Sequence, residues 1–269
     1  MTIYAQMLSR YSENERKANF EVMQQIALAG LYRAEFFEHA AFYGGTCLRI
    51  FHGLHRFSED MDFSLLKYEP DFNFESFFPA IIKEFEIAGR TVEITKKEKH
   101  NFGKVESAFL KDTTDVYNLA FQHEKSLKIK IEVDTEPPLF FNTEQKLLML
   151  PFSFRTRCGA LPDLFAGKLH ALVFRNWKNR VKGRDWYDFE WYVRQGVRLN
   201  WNHLHERILQ FNGEDMTRDA FLNLLEQKLA STDINMVKAD VSPFIINNND
   251  LDIWSNDYFM QIAKMIQFV

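Results

Sequence analysis

In the first part of the chain, apolar residues recur both at helical spacing and at every second position, whereas only the helical spacing remains afterwards. Apolar positions recur at helical spacing over residues 13–38 and 72–88. Elsewhere the period shortens to two, most clearly where Ile129, Ile131 and Val133 alternate with charged residues. Such alternation is typical of half-buried strands. The pattern predicts strands over residues 91–95, 105–110, 116–121, 127–133 and 150–157.

From Leu161 onward only the helical period remains. Asp163 can cap a helix that runs to about Trp177. Further helices are predicted over residues 184–194, 201–211, 218–230 and 251–268. The fold class is therefore α+β, with a mixed sheet and flanking helices in residues 1–159 and a helical bundle in residues 160–269.

The segment from residue 42 to residue 66 holds the most informative pattern. Gly44, Gly45 and Thr46 form a turn that leads into a short predicted helix, 46–54, whose free N–H groups suit a phosphate. Asp60 and Asp62 follow on a predicted strand at spacing i, i+2, so both carboxylates share one face and can hold a divalent ion. Each feature alone is usually an ordinary turn or a solvated acid pair. Together they favour nucleotidyl transfer.

Metal-assisted transfer of this kind needs carboxylates on adjacent strands of one sheet. Asp134, at the end of the predicted strand 127–133, is the best third candidate beside Asp60 and Asp62. Its alternative role is that of a turn acid before Pro137. The expected cofactor is Mg²⁺ or Mn²⁺, and the expected substrate is a nucleoside triphosphate.

Three separated motifs resemble those of one family. Gly44–Thr46 with Arg56–Phe63 resembles the first motif of the AbiEii/AbiGii-type nucleotidyltransferase toxins, which belong to the DNA polymerase β-like superfamily. Leu164–Leu172 and Lys182–Asp188 resemble later motifs in the same order. The resemblance implies a nucleotidyltransferase-like sheet domain, toxicity to the host bacterium, a cognate antitoxin and, in some members, tRNA as the acceptor.

The resemblance also implies roles for individual residues. Ser58 joins Gly44, Gly45 and Thr46 as nucleotide-binding residues, and Asp134 becomes the third metal acid. Lys168 would contact phosphate, although a lysine on an apolar helix stripe usually extends to solvent. One of Asp185 and Asp188 would be an essential acid, and which one is open. The alternative for Asp188 is a helical ion pair with Arg184.

A basic segment lies between the two later motifs and is a candidate nucleic-acid contact, because cations bind the phosphodiester backbone and an aromatic ring stacks on bases. An ordinary solvated loop is the alternative. The residues concerned are Arg175, Trp177, Lys178, Arg180, Lys182 and Arg184.

Composition narrows the remaining choices. The formal net charge of −4 argues against a surface that is positive throughout, and the 27 phenylalanines predict an aromatic core. Cys47 and Cys158 are expected to be buried free thiols. Signal-peptide and membrane-span patterns are absent from the sequence, so a cytoplasmic enzyme without a membrane partner is expected. The alternatives are transfer onto a protein or small molecule, and a non-catalytic nucleotide-binding module.

Overall fold

The structure is a computed structural model that describes residues 1–11, 15–97, 114–122, 127–138, 140–175 and 181–269. The chain forms two compact units. Unit 1 comprises Met1–His52, Glu59–Pro137 and Thr143–Cys158, and unit 2 comprises Gly53–Ser58, Pro138–Asn142 and Gly159–Val269. The predicted strand 105–110 and the end of the first predicted helix of unit 2 lie outside the described residues.

Unit 1 is built on a mixed sheet whose strand order is β3-β4-β5-β2-β1-β7-β6. Among the described residues its helices are α1 (Ile3–Leu8), α2 (Glu15–Arg33), α3 (Gly44–His52) and α4 (Phe78–Ile87). The strands are β1 (Ala40–Tyr43), β2 (Met61–Leu65), β3 (Val92–Lys96), β4 (Thr114–Phe121), β5 (Lys128–Asp134), β6 (Thr143–Leu148) and β7 (Phe154–Gly159). β2 pairs with β5 in parallel and with β1 in antiparallel orientation.

Phenylalanine rings fill the core of unit 1, as the composition predicts. Phe36 is fully buried and meets Phe63, Phe74 and Phe77 edge-on, with ring centroids 5.1–5.4 Å apart. Edge-to-face aromatic pairs add to the stabilisation that comes from area burial alone. The interior of the sheet contains β1 and β2, the two strands next to the glycine turn.

Unit 2 is helical in its described residues. It contains α5 (Leu161–Phe174), α6 (Gly183–Arg194), α7 (Trp201–Asn212), α8 (Arg218–Ser231), α9 (Ile234–Val241) and α10 (Asn256–Ala263). The centre of α6 packs through Trp186 and Phe189 against Phe259 of α10. This packing fixes the face of α6 that carries the unit's buried acids.

Several local predictions are corrected by the structure. Asp163 is not the N-cap of α5, because Ala160 holds that position; its carboxylate accepts hydrogen bonds from Asn142 and Asn200 instead. Asp60 directly precedes β2 rather than lying within it. The sequence pattern also missed β6 and α9, and it extended α10 at both ends.

Two further expectations concern thiols and membranes. Cys47 and Cys158 are both buried and free, as predicted. Among the helices in the described ranges, none has the length and apolar character that crossing a membrane requires.

Candidate active site

The turn between β1 and α3 brings the glycine motif against Asp62. Pairing of β1 with β2 sets Tyr43 opposite Asp62, so the next residue, Gly44, reaches the aspartate side chain. Gly44 has a φ of +80°, and a Cβ at this position would lie 2.2 Å from Oδ2 of Asp62. Glycine is therefore required twice here, for its backbone conformation and for space. The N-terminus of α3 and a carboxylate of β2 share one small volume.

Backbone contacts from two helices fix the approach to β2. The Thr46 hydroxyl of α3 donates to the carbonyl of Asp60, and Nε2 of Gln24 of α2 donates to the carbonyl of Glu59 at 3.1 Å. Thr46 is fully buried. Its hydroxyl positions Asp60 in this structure, and the predicted contact with phosphate stays a prediction.

The register of β2 on β5 identifies a carboxylate that the sequence interpretation missed. Asp62 lies opposite Glu132, whereas Asp134 lies opposite Ser64, one pair further along. Oδ1 of Asp134 accepts the backbone N–H of Glu136 at 3.1 Å, which is the turn role weighed as its alternative. The metal role of Asp134 stays a prediction, and Glu132 is the β5 acid nearest to Asp62. Its place on the same face of the strand as Asp134 was the available signal.

A lysine of β5 lies among these acids. Nζ of Lys130 is 2.7 Å from Oε1 of Glu132 and 3.7 Å from Oδ2 of Asp60. Burial by itself would lower the pKa of Lys130, but the charges of Asp60, Glu132 and Asp62 outweigh burial and raise the pKa above its ordinary value. Within the described residues no three His, Cys, Asp or Glu side chains gather closely enough to hold a metal ion. Asp60 and Glu132 share an ammonium instead.

Unit 2 contains a second acidic pair, and it is fully enclosed. Asp188 has no exposed side-chain surface and forms a bidentate pair with Arg56, at 2.5 Å from Nε and 2.6 Å from Nη2. Planar guanidinium and carboxylate groups match in this geometry, which makes such pairs strong and directional. The pair joins the segment Gly53–Ser58 to α6 inside unit 2.

Lys168 completes this buried network. Its Nζ lies 2.9 Å from Oδ1 of Asp185 and 2.8 Å from Oδ2 of Asp188, so the two acids share a face of α6 as their i, i+3 spacing predicts. Only 15% of its side chain is exposed, so the solvent-extended alternative is wrong. Arg175 binds the other oxygen of Asp185 at 2.9 Å.

Electrostatics in this network favour the charged carboxylates. Burial would raise the pKa of both acids, but Lys168 and Arg175 outweigh burial for Asp185 and lower its pKa. For Asp188, Arg56 and Lys168 have the same effect. Both acids are therefore anions held by cations, and the essential role predicted for one of them stays a prediction.

The other predicted residues are distributed as follows. Ser58 is buried within unit 2, and its nucleotide-binding role stays a prediction. Burial and the neighbouring charge of Arg175 lower the pKa of Lys182 to about 8. The guanidinium of Arg184 lies 4.0 Å from the ring centre of Phe244. Trp177, Lys178 and Arg180 lie outside the described residues, and the nucleic-acid contact stays a prediction.

Comparison with protein families identifies one match over most of the chain. The family described as "Nucleotidyl transferase AbiEii toxin, Type IV TA system" matches residues 26–261. The match includes both acidic pairs and the glycine turn. No curated protein shows significant similarity to the chain.

Two solved structures from Helicobacter pylori share the fold. JHP933 is 18% identical, with a TM-score of 0.53 over 94% of this chain and 91% of its own. A second protein, named provisionally as a nucleotidyltransferase, is 16% identical, with a TM-score of 0.54 over 94% of this chain and 95% of its own. At these identities the likeness concerns the fold.

Proposed function

Because the chain belongs to the AbiEii family of nucleotidyl transferase toxins, we propose that it is a metal-dependent nucleotidyltransferase that moves a nucleotide from a nucleoside triphosphate to an acceptor hydroxyl. One observation carries this proposal. The carboxylate of Asp62 lies against Gly44 at the N-terminus of α3, and Asp60 is held beside the same turn by Thr46. A phosphate-binding helix end and acids for a cation thus occur together.

The donor chemistry of unit 1 fits a hard divalent ion. Carboxylate oxygens are the ligands that Mg²⁺ and Mn²⁺ prefer, and Asp60 and Asp62 would hold the ion. Glu132 or Asp134 would supply the third carboxylate. Such an ion, when bound, neutralises charge that develops on the phosphate oxygens during transfer.

The protein's own groups bind and orient the triphosphate in this proposal. Gly44 and Gly45 begin α3, whose first-turn N–H groups and helix dipole attract phosphate. The absence of side chains at both positions lets phosphate approach the backbone. Thr46 keeps the backbone of Asp60 in place during binding.

For the acceptor we propose the 3′ hydroxyl of a tRNA, with toxicity to the host and a cognate antitoxin that neutralises it. The Type IV toxin–antitoxin description of the family supports the toxicity and the antitoxin. The tRNA acceptor is proposed from the resemblance of the motifs alone. We also propose that residues 1–159 form the nucleotidyltransferase domain and residues 160–269 a helical bundle domain. A non-catalytic binding module is disfavoured, because Asp60 and Asp62 are both present next to the turn.

The direct test is nucleotide incorporation by the purified protein. The protein is incubated with each labelled nucleoside triphosphate and Mg²⁺, in parallel with deacylated tRNA, total RNA depleted of tRNA, and a mixture of soluble proteins. Label in tRNA that requires Mg²⁺ and disappears in Asp60→Asn supports the proposal. Label in protein alone would show that the acceptor is a protein rather than tRNA. No label with any acceptor would contradict the enzyme assignment.

A further inference from the structure

The ammonium group of Lys130 lies beside the carboxylates that are proposed to bind the metal ion. Its ammonium contacts Glu132 at 2.7 Å and Asp60 at 3.7 Å, and Glu132 lies opposite Asp62 on the neighbouring strand. Asp60 and Asp62 belong to the proposed metal site. The same oxygens cannot be fully available to a divalent ion and to an ammonium.

We propose that the Lys130 ammonium is a built-in counter-ion of the acidic site, which a divalent ion must displace from Asp60 before it can bind. The inference rests on the proposed function and deepens it, since it concerns how the same site is controlled. Without a metal, Lys130 relieves the repulsion among three neighbouring carboxylates. With a metal, that repulsion is relieved by the ion, and the ammonium is released from Asp60.

The position of Lys130 suits such a displacement. About a third of its side chain is exposed, as is about a third of Asp60, so the ammonium can turn to solvent without unfolding the strand. Glu132 is less exposed, at 18%, and lies on the same strand two residues away. Lys130 can therefore leave Asp60 while it stays near Glu132.

The same strand provides a matched control. Lys128 lies two residues before Lys130 on the same face of β5, and it is exposed. Lys128→Met removes the same charge and nearly the same volume as Lys130→Met. A difference between these variants therefore reports the location of the charge rather than the net charge of the protein.

The experiment measures Mn²⁺ binding to the full chain by calorimetry at physiological salt, with no nucleotide present. Lys130→Met and Lys130→Gln are expected to bind Mn²⁺ about tenfold more tightly than the wild type, the effect of a neighbouring charge worth about one pKa unit. Lys130→Arg, which keeps the charge, and Lys128→Met should stay close to the wild type. Adding Asp60→Asn to Lys130→Met should remove the gain. Thermal melting of each variant checks that it is folded.

Equal or weaker Mn²⁺ binding by both Lys130→Met and Lys130→Gln would overturn the inference. If the wild type nevertheless transfers nucleotide and Asp60→Asn does not, the inference fails alone and the proposed function stands. If no variant binds Mn²⁺ and the wild type transfers nothing, both fail together. An equal gain in Lys128→Met would also overturn the inference, because the effect would then reflect overall charge.

Discussion

The aspartates of the two units differ in how the protein compensates their charge. Asp60 in unit 1 keeps 35% of its side chain exposed and touches one lysine at 3.7 Å, whereas Asp188 in unit 2 has no exposed surface and is bound by Arg56 and Lys168. A buried carboxylate is costly unless cations and hydrogen bonds compensate it. The acids of unit 2 meet that requirement within the fold.

The acids beside the glycine turn of unit 1 are in a different environment. The charges of Asp60, Asp62 and Glu132 all act on the ammonium of Lys130, which lies on the partly exposed face of β5. The difference teaches that two pairs of acids that are each close together in sequence can have different environments, partly exposed in unit 1 and enclosed by cations in unit 2.

The largest expected effect is on catalysis. Asp60→Ala should lower nucleotide transfer at least about a thousandfold, since the bound metal would contribute several kcal/mol to transition-state stabilisation. Because its side chain is partly exposed, the change in the free energy of unfolding is expected to stay within about 1 kcal/mol. Incorporation of label and thermal melting are measured together, with the exposed Asp71→Ala as the control. If a folded Asp60→Ala protein transferred nucleotide near the wild-type rate, Asp60 would not be a metal ligand, and the proposed difference between the acids of the two units would be wrong.

The opposite behaviour is expected for Asp188. Asp188→Ala leaves Arg56 buried without its carboxylate and should cost about 3–5 kcal/mol in the free energy of unfolding. Urea unfolding measures the loss. The double variant Arg56→Met/Asp188→Ala should recover part of it, because no unpaired guanidinium is then left behind. A single variant as stable as the wild type would show that the buried network does not hold unit 2 together.

Comparing alanine variants of Gly44 and Gly53 distinguishes the cost of backbone strain from the cost of the contact with Asp62. Gly44 and Gly53 have similar positive φ angles, +80° and +74°, but only Gly44 has an atom within reach of an added Cβ. Gly53→Ala should therefore cost about 1 kcal/mol from conformation alone. Gly44→Ala should cost roughly 2–3 kcal/mol and also displace the Asp62 carboxylate, with loss of transfer activity. Equal stability and activity in both variants would show that Asp62 does not depend on the close approach.

The smallest effects concern pH, and the two units should respond in different ranges. Burial lowers the pKa of His52 in unit 1 from 6.5 to about 4, with Lys146 adding to the shift and Glu144 opposing it. The unfolded chain then binds the proton first, so stability is full above pH 6.5 and is lost as the pH falls towards 4. At about 1.4 kcal/mol per pKa unit this change corresponds to about 3.5 kcal/mol, and solvent screening reduces the expected loss to roughly 2 kcal/mol.

Urea unfolding between pH 4 and 7 measures this loss, and His52→Leu should flatten the slope while the exposed His55→Leu should not. Unit 2 should also lose stability as the pH falls, but in a lower pH range. Asp185 and Asp188 have pKa values below their ordinary 3.8, so their stabilisation is present above 3.8 and disappears as the pH falls below it. A slope between pH 4 and 7 that survives His52→Leu would contradict the assignment.

Much of the architecture follows from local pattern. The change from mixed to helical periodicity near residue 160, the strands that contain Asp62 and Ile131, and most helices of unit 2 can be predicted because each element buries its own apolar face. β6 escaped prediction because none of its residues is fully buried and its sequence shows little apolar alternation. α9 is short, with only two buried apolar residues to mark it.

The sequence by itself determined that Asp60 and Asp62 follow a glycine turn and that Asp185 and Asp188 share a helix face, since both facts depend on spacing along one element. Only the tertiary structure decided their partners. Arg56 and Asp188 are 132 residues apart in sequence, and Glu132 lies next to Asp62 because of the register between β2 and β5. Periodicity specifies which face of a strand or helix a side chain occupies, whereas long-range pairing specifies which residues that face contacts. Such pairing gives Asp188 its cations Arg56 and Lys168, and it places Asp62 beside another acid, Glu132.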